Sequence, residues 1–551
     1  MGTREPVSEA EDAFEAVCQQ LLAEVLAGDL DRDGLEARKR AVCREAGGVS
    51  VPGNGDILER AAPADREAAE AVLRRKPVRT ASGVSPVAIM TSPSRCPHGR
   101  CLYCPGGPDS EFSSAQSYTG HEPAAARGVQ TEYDPYRQVT LRLAQLRHIG
   151  HPTDKAELIL MGGTFPARSH DYQEWFVKRA LRAMNDFTPA DPPTPEEALS
   201  THPPTDFAYL EDVIAANETG LVRNIATTFE TKPDWCGDEQ IDRMLRLGGT
   251  KVELGVQTTF ERINREQNRG HGTDASIRAN QRLRDAGFKV GFHMMPGQPG
   301  MSEEMARADF NRLFDHPEWR PDYLKIYPTL VVPGTVIYDW WHRGEYEPLG
   351  NDSAAELVAD IKAQVPPYTR IQRVQRDIPA DFIAAGVTKS NLRQLARDHL
   401  HERGERCRCI RCREAGMQDT TIDIDALEER VRTYEAVGGT EHFISVEDPT
   451  TDALVGFCRL RFPGMVRRRE LDGAALVREL HVYGSEVPLG ERGDTWQHRG
   501  IGRGLMQRAE AIARRGGYEK LAVISGIGTR EYYREKLGYR YDGAYMSIEL
   551  D

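Results

Sequence analysis

The sequence predicts an α/β protein: a partial, TIM-like (β/α)6 barrel followed by a second, smaller α/β domain. Three observations carry this. Six short apolar runs alternate with helical stretches between residues 87 and 331, as parallel strands buried on both faces do. That rhythm stops after residue 370, and a hairpin-rich section begins near residue 443. With 551 residues the chain is also too long for one hydrophobic core.

Taken in order, residues 11–27 place Phe14, Val17, Leu21 and Val25 at helical spacing, with Gly28 as a stop. Helical patterning continues to about residue 73, interrupted by "GGVSVPGNGD". The six strand candidates follow: "VAIMTS" (87–92), "ELILMGGT" (157–164), "LVRNIATTFET" (221–231), "KVELGVQT" (251–258), "FKVGFHMMPG" (288–297) and "DYLKIYPTLV" (322–331). The proline-rich stretch 188–205 reads as an inserted loop. Four regions are expected: a helical region (1–75), whose role is open and includes tRNA binding among the options, the barrel (76–370), a basic linker with a zinc site (371–425), and the C-terminal α/β domain (426–551).

Composition narrows the function class. Hydrophobic residues make up 39% and charged residues 28%, the balance of a soluble globular protein. No run approaches a membrane span, and the first residues lack the basic-then-apolar order of a secretory signal, so a cytoplasmic protein is expected. A net charge of −13 argues against a non-specific nucleic-acid binder. Three basic islands stand out all the same: "RRKPVRT" (74–80), "RIQRVQRD" (370–377) and "RCRCIRCR" (406–413).

Six of the ten cysteines fall in two tight groups. Ligands rather than disulfides suit a reducing compartment. In "CPHGRCLYC", Cys96, Cys101 and Cys104 form a C-x4-C-x2-C array just after the first strand candidate. A cubane iron–sulfur cluster normally takes four thiolates. Three leave one iron open to chelate S-adenosylmethionine, whose cleavage releases a 5′-deoxyadenosyl radical. The competing reading is a zinc site completed by His98.

These residues resemble the radical S-adenosylmethionine superfamily. By that resemblance Gly162, Gly163 and Thr164 in "LILMGGTF" offer backbone groups to the methionine moiety, although many members have Glu where Thr164 stands. Gln257 and His293 occupy positions similar to later strand-end motifs. At the other end, "QHRGIGRG" (497–504) turns from a strand into a helix. Free amides at a helix start, with glycines allowing close approach, bind phosphate. With "YYREKLGY" following, the segment resembles the GNAT acetyltransferases. That likeness implies acetyl-CoA binding, with Tyr533, or next Tyr532, near the thiolate leaving group. Glu479 or His481 would be the base of an ordinary acetyl transfer.

The two ends together, with "KPVRTASGVSPVAIM", "AQSYTGHEPAAARG", "RELHVYG" and "AVISGIGTREYYREKLGY", resemble the family of Elongator catalytic subunits, in an archaeal or bacterial form that acts alone. The resemblance implies modification of the tRNA wobble uridine. A deoxyadenosyl radical takes a hydrogen from the acetyl methyl group of acetyl-CoA, and the product is 5-carboxymethyluridine. It further implies acetyl-CoA contacts from Glu479, Leu480, His481, Val482, Gln497, Gly500, Ile501, Gly502, Arg503 and Tyr533, and from Lys155 on the barrel side. An electron donor for the cluster is required.

Cys407, Cys409 and Cys412 suggest a structural zinc, whose fourth ligand is His399 or His401, with a second cluster as the alternative. Lys76, Arg79, Arg373 and Arg376 are the candidate tRNA phosphate contacts. Two rivals remain: a protein lysine acetyltransferase with a structural cluster domain, and a non-enzymatic tRNA-binding scaffold. Oligomeric state is open, a homodimer included.

Overall fold

The computed structural model describes residues 9–205, 208–418, 422–483 and 500–551. Helices Glu9–Leu26, Leu35–Glu45, Asn54–Leu58 and Arg66–Leu73 form the N-terminal layer. Val17, Leu21, Leu22 and Val25 line one face of the first helix and close a small core with Leu35, Val42, Ile57 and Leu73. Helical spacing thus produces the buried stripe that holds this layer together.

The barrel sheet contains β1 (Ser85–Met90), β2 (Lys155–Met161), β3 (Arg223–Thr231), β4 (Lys251–Gln257), β5 (Lys289–Met294), β6 (Tyr323–Ile326) and β7 (Arg370–Arg373). They are parallel and lie in sequence order. β7 does not pair with β1, so the barrel is open on that flank. Outward-facing residues such as Ala156, Leu158 and Leu160 are buried in the main core.

The seventh strand extends the six expected. "RIQR" holds one apolar residue, Ile371, and by its sequence is a basic island. Its extended form comes from pairing with β6, Arg370 standing opposite Tyr323. The proline-rich insertion also differs from expectation: Pro195–Ser200 is helical. Thr194 Oγ1 accepts from the Glu197 amide (3.2 Å), and Glu197 returns the bond to the Thr194 amide (2.8 Å). This capping box stabilises a short helix that proline content alone argues against.

The C-terminal sheet holds β8 (Glu428–Ala436), β9 (Gly439–Glu447), β10 (Leu454–Phe462), β11 (Ala474–Val482), β12 (Lys520–Val523), β13 (Arg540–Asp542) and β14 (Tyr545–Glu549), in the order 13-14-12-11-10-9-8. Only β11 and β12 run parallel. Helix Ile501–Arg515 packs its Leu505, Met506, Ala509 and Ala513 into the core of this sheet.

The second domain docks on the N-terminal ends of the barrel strands. Arg223, first in β3, pairs with Glu531 (2.9 Å). Asp322, just before β6, takes a bidentate bond from Arg478 (2.7 and 2.8 Å), and Arg478 also meets Glu441 (2.8 Å). Arg284 reaches Glu441 at 2.9 Å and Arg461 reaches Asp285 at 2.6 Å. All of these but the Arg223–Glu531 pair are buried. Burial alone would raise the Asp322 carboxyl, but Arg284, Arg478 and Arg459 hold it far below its ordinary range. Fully cross-paired charges tolerate burial, whereas deleting one partner typically costs about 3–5 kcal/mol. The domains are therefore fixed to one another.

Candidate active site

The cysteine loop leaves β1 at its C-terminal end, opposite the docked domain. Cys96, Cys101 and Cys104 line a cleft of about 1100 Å³, counting its open mouth. A hydrogen bond from Cys104 holds the Cys101 thiol well below its ordinary range, against burial and with help from Arg269. Arg269 Nη1 lies 3.3 Å from that sulfur, and His98 Nε2 lies 3.2 Å away. The three thiols and His98 do not converge as the donors of one small ion do. Among the described residues, sets of donors within 4.8 Å of one another are Cys407, Cys409, Cys412 and Glu230, Glu253, His293. These donors lack the convergence that a single zinc requires.

The backbone beside the thiols is built for close approach. Gly162 (φ +127°) would place a Cβ 2.1 Å from Thr91 Oγ1, so no side chain fits there. A Cβ on Gly163 would meet Cys96 Sγ at 3.7 Å, and Thr164 Oγ1 is 3.7 Å from the same sulfur. Gln257 ends β4 with φ +70°, a left-handed conformation costly for a non-glycine residue. Its Oε1 and the Thr231 Oγ1 are buried with no hydrogen-bond partner among the described residues. Unpaired buried polar atoms cost free energy. Around three thiols, they are what a polar cofactor such as S-adenosylmethionine would satisfy, so the residues fit that group.

Below the thiols the cleft ends on charged side chains. His293 Nε2 meets Glu253 Oε2 at 2.9 Å, and Lys325 bridges Glu253 and Glu230. Lys251 bonds Glu253 at 2.9 Å, and Tyr118 donates to Glu230 at 2.8 Å. Of these, His293 alone was singled out in the sequence. The signal was present: Lys251 and Glu253 stand two apart on β4, and His293 and Lys325 are charged or polar residues in register within the apolar runs of β5 and β6.

The basic candidates divide. Arg373 and Arg376 line the cleft mouth with Tyr118 and Tyr327. Arg373 pairs with Asp377 (2.5 Å), and Arg376 bonds the Ser117 carbonyl. Lys76 and Arg79 are exposed near the N-terminal layer and do not line that cleft.

At the second domain, β11 pairs with β12 only through Val477, so the strand from Glu479 to Val482 stands apart from that neighbour. Glu479 is held by Arg459 (2.8 Å) and by the Tyr323 hydroxyl of the barrel. Gly500 (φ +84°) starts the helix carrying Ile501, Gly502 and Arg503. The Tyr532 hydroxyl lies 3.4 Å from where a Gly502 Cβ would be, and Val482 lies 3.7 Å from it. Tyr533, the favoured tyrosine, is 6% exposed and belongs to the core of the sheet. Tyr532 is therefore the one beside the helix start. Leu480 and His481 lie on the same strand, the His481 imidazole pushed down by burial. Lys155 opens β2 on the barrel side. Gln497 lies outside the described residues.

Cys407, Cys409 and Cys412 converge, with Lys362 Nζ 3.9 Å from Cys412. Neither expected histidine joins them. His399 and His401 sit on helix Leu392–Glu402, and His399 lies 3.8 Å from Glu402. Among the described residues the second thiol group thus stands as three donors.

The sequence matches the Radical SAM superfamily over residues 90–313, the Radical_SAM C-terminal domain over 321–402 and the ELP3 N-terminal domain over 14–81. It is 46% identical over 513 residues to the tRNA uridine(34) acetyltransferase of Methanocaldococcus jannaschii, covering 92% of this chain and 91% of the relative. The chain belongs to the Elongator complex protein 3 family. Elongator complex protein 3 of Schizosaccharomyces pombe is 41% identical, covering 96% of this chain and 97% of the relative. The solved structure of Methanocaldococcus infernus Elp3, lacking its first 46 residues, superposes with a TM-score of 0.73 at 43% identity. It covers 85% of this chain and 100% of that one. No described helix is long and apolar enough to cross a membrane.

Proposed function

We propose that this chain modifies the wobble uridine of tRNA at position 34, joining an acetyl-derived carbon to carbon 5 to give 5-carboxymethyluridine. The observation that carries the reading is the three-thiol cleft with its unpaired polar atoms, in a chain 46% identical to a tRNA uridine(34) acetyltransferase. A cluster on Cys96, Cys101 and Cys104 with S-adenosylmethionine supplies a 5′-deoxyadenosyl radical.

The chain's own residues do the rest. Gly162, Gly163, Thr164 and Gln257 orient the methionine end. Arg269, 3.3 Å from the Cys101 sulfur, favours its thiolate. His293, backed by Glu253, serves the bound uridine as the acid–base group of the cleft. Arg373, Arg376, Lys76 and Arg79 neutralise tRNA phosphates, and the tyrosines at the mouth offer ring faces to a splayed base. In the second domain, Glu479 to Val482, Ile501 to Arg503, Tyr532 and Lys155 bind acetyl-CoA. A zinc on Cys407, Cys409 and Cys412, completed by a ligand other than the two histidines, staples the linker.

The test is anaerobic reconstitution with iron, sulfide, S-adenosylmethionine, reductant, acetyl-CoA and unmodified tRNA, followed by nucleoside mass spectrometry. Carboxymethyluridine and 5′-deoxyadenosine together are expected. Acetylated lysine without either product would favour the protein acetyltransferase rival, which no observation singles out.

A further inference from the structure

The two half-sites lie at opposite ends of the barrel, and the buried ion set fixes the domains. A reactant must therefore travel between them. A closed barrel of this class is filled by stacked aliphatic side chains. Here the inner face of β2 is not filled. Ala156, Leu158 and Leu160 face the helices and are buried, while Lys155, Glu157, Ile159 and Met161 are part-exposed along the whole strand. On β1, Pro86 and Ala88 stand in register with Glu157 and Ile159 and are part-exposed as well. Both are small, which leaves room.

Every inner-face residue of β2 is thus part-exposed, over about 20 Å at strand rise. Its upper end is the cleft, lined by Met161 and Gly163 beside Cys96. Its lower end is Lys155, in register with Arg223, which pairs with Glu531 on the helix that carries Tyr532. The wall between is mixed: Ile159 is apolar, Glu157 accepts from Thr228 (2.7 Å), and Lys251 lies 3.8 Å from Glu157. A slender, uncharged arm with amide groups and a thioester tip matches that wall.

We propose that the inner faces of β1 and β2 form a substrate channel along which the acetyl thioester extends from the C-terminal domain to the three-thiol cleft. This rests on the reading that acetyl-CoA binds the C-terminal domain. Ile159→Trp tests it, because position 159 is mid-strand and touches neither the thiols nor Lys155. Three quantities are measured on the full, cluster-loaded chain: 5′-deoxyadenosine formation, calorimetric acetyl-CoA binding, and acetyl carbon transferred to tRNA. The first two should stay within about twofold of wild type, and transfer should fall by about tenfold or more. Ile159→Ala should transfer normally. Transfer by Ile159→Trp at the wild-type rate overturns the channel. Wild type that binds acetyl-CoA but labels no tRNA overturns the functional reading instead, and the channel with it.

An arm independent of turnover uses Ile159→Cys and N-ethylmaleimide, read by peptide mass spectrometry at position 159. Alkylation should be slowed by acetyl-CoA and not by adenosine 3′,5′-bisphosphate, which lacks the arm. A position that is unreactive, or that acetyl-CoA leaves unprotected, overturns the proposal even where Ile159→Trp fails to fold.

Discussion

Two buried charge sets sit in this molecule, built from similar residues and doing opposite work. At the domain junction Arg284, Arg461 and Arg478 meet Asp285, Asp322 and Glu441, every head group engaged from several sides. At the cleft floor Glu230, Glu253, His293 and Lys325 pair with each other, and the first three also line an open cavity. Closure on all sides makes charge a rivet. Closure on one side leaves the same chemistry able to act on something that enters.

Four experiments would break or sharpen that contrast. The largest effect belongs to the thiols above the floor. Cys101→Ser should abolish S-adenosylmethionine cleavage and strip iron from the reconstituted protein, read by iron assay and visible absorbance, with the thermal midpoint nearly unchanged. At the junction, Asp322→Asn should cost about 3–5 kcal/mol in denaturant unfolding, because it leaves buried arginines unpaired. The pH dependence has a definite sign. Asp322 is depressed in the folded state, so its contribution is complete above the unfolded carboxyl value of about 3.9 and is lost as pH falls below it. The Asn variant should flatten that acid limb, and an unchanged limb would show that the rivet lies elsewhere.

The floor should behave the other way. His293→Gln should lower carboxymethyluridine formation by about tenfold or more while leaving the unfolding midpoint close to wild type. A variant that unfolds readily but turns over normally would reverse the assignment. The smallest effect is at the mouth. Removing Arg373 and Arg376 together should weaken tRNA binding several-fold and lower its salt slope by about two, measured by anisotropy across a salt series.

What the sequence made legible follows from range. The C-x4-C-x2-C array is local, so its chemistry could be read from nine residues. Six barrel strands were legible because each carries its own apolar run, but β7 owes its form to β6, and "RIQR" holds no such signal. The junction was invisible: Arg478 and Asp322 are 156 positions apart, and nothing local says that either is buried. The floor lay between these cases. Its charged residues are scattered one or two to a strand, and the surrounding Val, Leu and Phe dominate the pattern. Tyr532 and Tyr533 could not be separated by sequence, since adjacent helical positions point some 100° apart and only packing decides which faces the core. The fourth ligand beside Cys407 failed for a related reason. Proximity along the chain placed two histidines near, and the helix that carries them turned them elsewhere.

The missing pairing between β7 and β1 has one more consequence. A fully wrapped barrel admits reactants only through its rim, which suits small metabolites. Here the seam is crossed by side chains instead, His121 stacking on Phe382 at 3.9 Å and Arg376 bonding the Ser117 carbonyl, and such contacts can part for an incoming polymer without unzipping a strand.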